Sequence, residues 1–371
     1  MLKSRFNLAQ SQTAPEAGEE HVAEDTAADE QQQQYDEQLA GEGVVEEEEK
    51  KIVYPVRVLK RAEVSIRLSL LGKTAEGDGY TYLKAACTGM SLTDISAVKH
   101  FKHLQFLDVS NNNLDLDALQ AATELPYLVL IHADHNALYS AALRKMKYLQ
   151  VIIMNNNKIS TVHDVYQPEL STLEVGYNRI HRVFFTNRMP TIKCLDFRYN
   201  LIEDISDFDF PNLDSLYLAG NKIKALDGIE RLVNLRILHV RNNPIKLLNG
   251  FDEGLKKLQY INLRNCKVAT LRQVKKLRVL TALDTLIMKG CPYMGGTGEE
   301  NAEVGQEEED AEIRVEVLAT LPRLKRINKG VITPEERTEA KDLMTQWLEE
   351  GEKEEEEIED EHHEEESNLD E

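Results

Sequence analysis

Apolar residues in the middle of the chain follow a spacing that is neither helical nor strictly alternating. Leu104, Leu107 and Val109 precede Asn112 and Leu114 in the pattern L-x-x-L-x-L-x-x-N-x-L. The same register returns at Leu128, Leu149, Leu170, Ile192, Leu213, Leu235, Leu258 and Leu283, in steps of 24, 21, 21, 22, 21, 22, 23 and 25 residues. A degenerate copy begins 22 residues before the first, at Tyr82, with Ala85, Cys87, Met90 and Leu92 in the apolar places, which brings the count to ten. A unit this short supplies one strand and a return segment, too little to bury its own apolar side chains, so the copies must stack.

This pattern is that of leucine-rich repeats. It predicts an α/β fold: a curved solenoid with a parallel β-sheet on its concave face, a C-terminal cap and helix, and disordered acidic tails. The ninth position is Asn in seven successive copies, at Asn112, Asn136, Asn157, Asn178, Asn200, Asn221 and Asn243. A buried amide there can donate to and accept from the backbone of adjacent turns, whose groups would otherwise cost about 1–3 kcal/mol each if left unpaired. Cys266 and Cys291 take the same place in the last two copies, which favours a structural role over a redox or metal one. The four cysteines are far apart with no Cys-x-x-Cys, so neither a disulfide framework nor a zinc site is expected.

Both ends of a stacked core need covering. Residues 51–81, with Val64, Ile66, Leu68, Leu70 and Leu71, are the candidate N-terminal cap, although helix and strand templates compete there. Ile313 to Asn328 resembles the motif that closes the short repeat class, so the C-terminal cap is placed at 313–330. Thr333, Pro334 and Glu336 make a capping box at the head of a helix over 333–350, whose stripe, Ala340, Leu343, Met344, Trp347 and Leu348, either packs back on the solenoid or docks a partner. The remaining divisions are an acidic, Gln-rich tail over 1–50, the repeats over 82–293, an acidic disordered insertion over 294–312 and an acidic tail over 351–371.

Charge divides along the same lines. The 371 residues carry 44 bases and 65 acids, a net charge of −21. Residues 1–50 hold 14 acids and 3 bases, 294–312 hold 8 acids and no base, and 349–371 hold 15 acids and one base, leaving 28 acids against 40 bases elsewhere. The folding part is therefore basic and its appendages acidic. No apolar run reaches the about 18 residues of a membrane span, and Met1-Leu2-Lys3-Ser4-Arg5 leads into polar sequence, so a soluble intracellular protein is expected.

The chain's nearest approaches to catalytic motifs are incomplete. Gly72-Lys73-Thr74 ends like a phosphate loop but has Arg67 where the first glycine belongs, and Gly295-Gly296-Thr297-Gly298 lies among carboxylates that would repel phosphate. His362-His363 sits in a glutamate run and reads as solvated tail; His132, Asp134 and His135 near Asp108 read as a polar strand edge rather than a metal site. No enzyme, cofactor or small-molecule substrate is predicted.

Binding chemistry is better represented. The seventh repeat position runs Ser110, Asp134, Asn155, Gly176, Arg198, Ala219, Arg241, Arg264 and Lys289, with Asp108, Glu174 and Asp196 beside its first half and Tyr177, Tyr199, Tyr217 and Tyr260 beside its second. Tyrosine with arginine is an interface composition. The candidate protein-binding residues are therefore Tyr177, Arg198, Tyr199, Tyr217, Arg241, Tyr260, Arg264 and Lys289, with Leu343 and Trp347 on the C-terminal helix. Further bases, among them Lys256, Lys267, Arg272, Lys275 and Arg323, make the last repeats and cap positive and favour acidic partners, either a protein surface such as tubulin or the chain's own acidic tails. With no recognition module present, nucleic acid is the weakest option.

Several segments outside the generic repeat resemble the leucine-rich repeat-containing protein 23 family. They are Ser69-Leu70-Leu71-Gly72-Lys73-Thr74, Leu92-Thr93-Asp94-Ile95-Ser96, Leu258-Gln259-Tyr260-Ile261-Asn262-Leu263-Arg264, and the cap followed by Glu335-Glu336-Arg337-Thr338-Glu339-Ala340. The resemblance covers about residues 64–350 and leaves out 1–50 and 294–312. It implies a non-enzymatic scaffold of the ciliary or flagellar axoneme, in the cytoskeleton, that binds other radial spoke proteins and is needed for motility. Two rival readings are a soluble phosphatase-regulatory repeat protein and an acidic nuclear histone-binding one.

Overall fold

Thirteen strands follow one another across a single sheet in chain order: β1 (Leu68–Lys73), β2 (Tyr80–Ala86), β3 (Phe106–Asp108), β4 (Leu130–His132), β5 (Val151–Ile153), β6 (Thr172–Glu174), β7 (Cys194–Asp196), β8 (Ser215–Tyr217), β9 (Ile237–His239), β10 (Tyr260–Asn262), β11 (Thr285–Ile287), β12 (Arg326–Ile327) and β13 (Gly330–Val331). The computed structural model describes residues 53–299 and 310–367, with side chains to Glu350. Two units are distinguished, 1–55 with 73–79, and 56–72 with 80–371. In the first, the described residues include a turn in which Thr74 N donates to Gly79 O at 2.9 Å and Thr74 Oγ1 to Asp78 at 2.6 Å. The second contains the repeats.

From β2 to β12 the pairing is parallel, and the register is the one the sequence predicts. Leu107, Ile131, Ile152, Leu173, Leu195, Leu216, Leu238, Ile261 and Leu286 stand in line, with Ala85 of the degenerate copy ahead of them. All are fully buried, as are Val109, Ala133, Met154, Val175, Phe197, Leu218, Val240 and Leu263 two positions on. Each strand is three residues long in the regular copies because the chain turns away after the seventh position. The eighth makes that turn with a left-handed backbone, at Asn111, His135, Asn156, Tyr177, Tyr199, Gly220, Asn242, Asn265 and Gly290.

The asparagine ladder holds those turns together. Asn200, for example, donates from Nδ2 to Val175 O, Phe197 O and Arg198 O at 3.0, 3.0 and 3.3 Å, and its Oδ1 accepts from Ile180 N at 3.0 Å. Asn112, Asn157, Asn221 and Asn243 repeat this reach into the previous turn. Cys266 and Cys291 keep only the donor half, from Sγ to Val240 O at 3.3 Å and to Leu263 O at 3.0 Å. Burial raises both thiol pKa values, to about 12 for Cys291, which holds them protonated.

At the N-terminal end both competing templates are used. A short helix, α1 (Arg61–Ser65), precedes β1, and Leu59 and Val64 close the core. Of the other apolar residues expected to cap this end, Leu68 packs partly on the core, whereas Ile66, Leu70 and Leu71 are exposed. The return segments carry the short helices α2 (Leu116–Leu119) and α3 (Leu271–Lys275). The cap helix is α4 (Ala311–Thr320), which starts two residues earlier than the sequence suggests because Asp310 caps it, accepting from Glu312 N at 2.9 Å. Residues 300–309 of the acidic insertion, like the tail over 1–50, lie outside the described residues, but its first part is tied down: Gly298 N donates to Gly290 O at 2.7 Å and Lys267 Nζ to Thr297 O at 3.2 Å.

The last helix, α5 (Pro334–Ser367), begins with the predicted capping box, in which Glu336 N donates to Thr333 Oγ1 at 3.2 Å and Thr333 N to Glu336 Oε2 at 2.7 Å. It continues to Ser367, well past residue 350, where the capping box and apolar stripe alone place its end. Glu and Lys are good helix formers, and extending a formed helix avoids a second nucleation. Ala340 is buried in the core, and Leu343, Met344 and Trp347 pack half-buried against it, with Lys275 Nζ 5.5 Å from the Trp347 ring. Leu343 and Trp347, expected among the protein-binding residues, thus face the chain's own repeats, because their stripe is the only apolar cover for the end of the core among the described residues of α5. No helix among the described residues is long and apolar enough to cross a membrane.

One side chain fastens α5 to α4. Arg314 Nε donates to Glu336 Oε1 at 2.6 Å and Nη1 to Ile327 O at 2.8 Å, with only 10% of the side chain exposed. Arg314→Ala should cost about 2 kcal/mol and loosen α5 first. Hydrogen exchange checks this: residues 334–350 should lose protection while the strands of the central repeats keep theirs.

A candidate protein-docking face

In a three-residue strand of this repeat the fourth and sixth positions point into the core, so the third, fifth and seventh point out. Stacked parallel strands convert each of these into a column running along the sheet. The columns are not uniform: the first half carries carboxylates and the second carries arginine, lysine and aromatic rings.

The acidic half is internally hydrogen-bonded. His132 lies between two carboxylates, Nδ1 3.5 Å from Asp108 Oδ1 and Nε2 3.0 Å from Asp134 Oδ2. Asp134 also accepts from Asn155 N at 2.6 Å, and Asn155 Oδ1 accepts from Gly176 N at 2.7 Å. The hydrogen bond with Asp108, then that with Asp134, raises the His132 pKa from 6.5 to about 10. Burial pushes Asp108 the other way, but its bonds from His132 and Ser110 outweigh that and bring it down to about 2. Deeper in the row, burial and then the Asp196 charge raise the Glu174 carboxyl well above the usual range.

The His132 shift has a testable sign. Its folded pKa lies above its free value, so the protonated ring contributes its full stability below about pH 6.5 and loses it as pH rises through about 10. Urea unfolding of His132→Gln should therefore show a flatter stability profile than the parent chain between those two pH values. An unchanged slope would mean that the triad carries no linked stability.

The second half begins where Asp196 meets Arg198. Arg198 Nη2 donates to Asp196 Oδ2 at 2.7 Å and Nε to the same oxygen at 2.9 Å, and the guanidinium lies 5.5 Å from the Tyr217 ring. Tyr177 and Tyr199 stack at 4.6 Å from consecutive left-handed turns, and Tyr199 OH accepts from Arg241 Nη2 at 3.2 Å. Tyr199 lies over Gly220, where a Cβ would come within 2.1 Å of the ring. Tyr217, His239 and Tyr260 continue as a second stack, at 4.8 Å per step. Arg264 and Lys289 extend the seventh column, anchored through backbone N–H groups that donate to Asn262 Oδ1 and Asn328 Oδ1 at 3.0 and 2.9 Å.

The structure thus brings Tyr177, Arg198, Tyr199, Tyr217 and Arg241 into one cluster, links Tyr260 to it through His239, and leaves Arg264 and Lys289 as its continuation. Leu343 and Trp347 belong to the other end of the solenoid. Three residues expected as open contacts are instead buried: Arg241 is 2% exposed, Tyr199 3% and Tyr177 7%. The reason is the stacking itself, since each ring lies against its successor and the Arg241 guanidinium reaches the Tyr199 hydroxyl. These three brace the face, and Arg198, Tyr217, Tyr260, Arg264 and Lys289, half-buried, are its accessible part. Sequence reading missed His239 and Asn262; both sit in the fifth column with Tyr217, and reading that column as well as the seventh finds them.

The His132 group, weighed as a strand edge, has both ring nitrogens directed at carboxylates, and His135 takes a turn position with φ 51°. Among the described residues no group of three or more His, Cys, Asp or Glu side chains is arranged to hold a metal ion.

A family model agrees with the repeat architecture. The family described as "Leucine Rich repeats (2 copies)" matches residues 211–253. A solved internalin from Listeria monocytogenes is 15% identical and covers 68% of this chain and 90% of its own, with a TM-score of 0.39. Leucine-rich repeat-containing protein 23 of Bos taurus is 34% identical over 279 residues, 74% of this chain and 77% of the relative. The Homo sapiens protein of that name is 33% identical over 291 residues, 78% of this chain and 80% of the relative. With its leucine-rich repeat solenoid and its likeness running through most of both chains, the protein belongs to the leucine-rich repeat-containing protein 23 family.

Proposed function

We propose that the chain is a non-enzymatic structural scaffold of the ciliary or flagellar axoneme, a radial spoke subunit needed for motility. The observation that carries the reading is family membership along three quarters of the chain, joined to a rigid face with separate acidic and cationic-aromatic halves. A scaffold has to present fixed chemistry to several neighbours, and side chains braced by stacking and ion pairs lose little rotamer entropy on docking. Spoke proteins dock along the sheet face through Arg198, Tyr217, Tyr260, Arg264 and Lys289, and acidic surfaces such as tubulin fit the cationic half. The protein resides in the cytoplasmic cytoskeleton of the cilium.

The test is extraction of the tagged endogenous protein from isolated cilia. It should stay with the microtubule skeleton after detergent and leave only in high salt. Complete release by detergent, or absence from cilia, ends the axonemal reading and turns attention to a soluble regulator.

A further inference from the structure

The N-terminal end of the repeat unit carries large apolar side chains that its core does not use. Ile66 is 78% exposed, Leu70 53%, Leu71 65%, Tyr80 69% and Tyr82 49%. They lie on β1 and β2, two neighbouring strands at the sheet's edge, and just ahead of them. Exposed apolar residues scattered singly are ordinary, but a cluster on adjacent strands marks a contact surface.

Two observations define what it contacts. The first is backbone shape. Leu70 has φ 59°, a left-handed conformation that a leucine rarely adopts, in the middle of the edge strand. An interruption there breaks the row of edge N–H and C=O groups, which blunts the edge against an added strand. Contact is therefore made through side chains, as in the seating of an amphipathic helix.

The second is charge. Residues 56–86 contain six bases, Arg57, Lys60, Arg61, Arg67, Lys73 and Lys84, against three acids, Glu63, Glu76 and Asp78, and Glu63 already binds Arg57 Nη2 at 2.5 Å and caps α1 through Lys60 N at 2.8 Å. A second copy seated on this surface would bring like charge against like charge. A helix with carboxylates bordering its apolar face satisfies both the leucines and the bases.

We infer that the surface formed by Ile66, Leu70, Leu71, Tyr80 and Tyr82 is a docking site for an acidic amphipathic helix of a partner protein. The full-length chain is titrated with a labelled synthetic helix of about 20 residues carrying a leucine stripe bordered by glutamate, and with its twin bordered by lysine. The glutamate helix should bind at least about tenfold more tightly, and Leu71→Ala with Tyr82→Ala should weaken it by about tenfold or more without moving the melting temperature. Both positions are exposed, so the fold does not depend on them. Equal affinity for the two peptides, no saturable binding, or binding indifferent to the double substitution overturns the inference. So does a concentration-dependent dimer, seen by sedimentation, that the same double substitution abolishes, since the surface would then join two copies of the chain.

Discussion

Gly220→Val should be among the most damaging single substitutions in the repeats, lowering stability by about 3 kcal/mol or more. Two independent causes act at the same atom. The residue has φ 66°, a backbone state that a β-branched side chain strongly disfavours, and its Cβ would stand 2.1 Å from Tyr199 Cδ1. The ring must then leave its place, which breaks the 4.6 Å stack with Tyr177 and the bond from Arg241 Nη2. Loss of stability and loss of the braced docking face should therefore appear together. Urea unfolding measures the first, and co-purification of partner proteins the second. A milder Gly220→Ala variant keeps the chain folded while still displacing the ring, so a face that binds as before in that variant would show that the tyrosine stack does not support docking.

Asn200→Ala should cost about 2–4 kcal/mol for a different reason. Removing the amide leaves Ile180 N without its partner, and Val175 O and Phe197 O with only their bonds from Asn178 and Asn221 Nδ2, in a turn that is 5% exposed at this residue. Stacked repeats gain stability from each interface with a neighbour, so a break in the middle should also weaken coupling between the two halves and broaden the unfolding transition. Asn113→Ala is the control. Its side chain is half-buried and makes one long bond, to Ser91 O at 3.4 Å, and the expected change is within about 0.5 kcal/mol. Equal effects at the two positions would refute a specific role for the ladder. Unlike Gly220→Val, Asn200→Ala should leave the docking face intact in whatever fraction remains folded.

Periodicity alone determined most of this fold. A residue at a repeat position has no freedom over its strand partner, so Leu107 lies beside Ile131 and Ala85 beside Leu107 as the spacing demands. The ladder was equally legible, because an amide recurring at a buried position has only the backbone of neighbouring turns to bond with. Even the degenerate first copy at Tyr82 was readable from its distance to the next, although it lacks the asparagine.

The docking face was legible as a composition but not as a surface. Listing the seventh column found Arg198, Arg241, Arg264 and Lys289 as four equivalent cations, yet Arg198 pairs with Asp196, and Arg241 lies buried under the tyrosines. Whether Arg241 faces solvent depends on its contact with Tyr199, 42 positions away, and no local pattern encodes that distance.

The ends show the same division. Sequence by itself determined the solenoid, its register, its polar ladder and the start of the last helix at Thr333, because each follows from a spacing or a capping box that is local to the chain. Only the tertiary structure decided that the Trp347 stripe covers the chain's own core, that Leu70 and Leu71 are left outside the N-terminal cap, and which cations of the face remain open. An amphipathic stripe or an exposed leucine looks the same in sequence whether it is turned inward or outward; the choice belongs to the shape of the core that meets it.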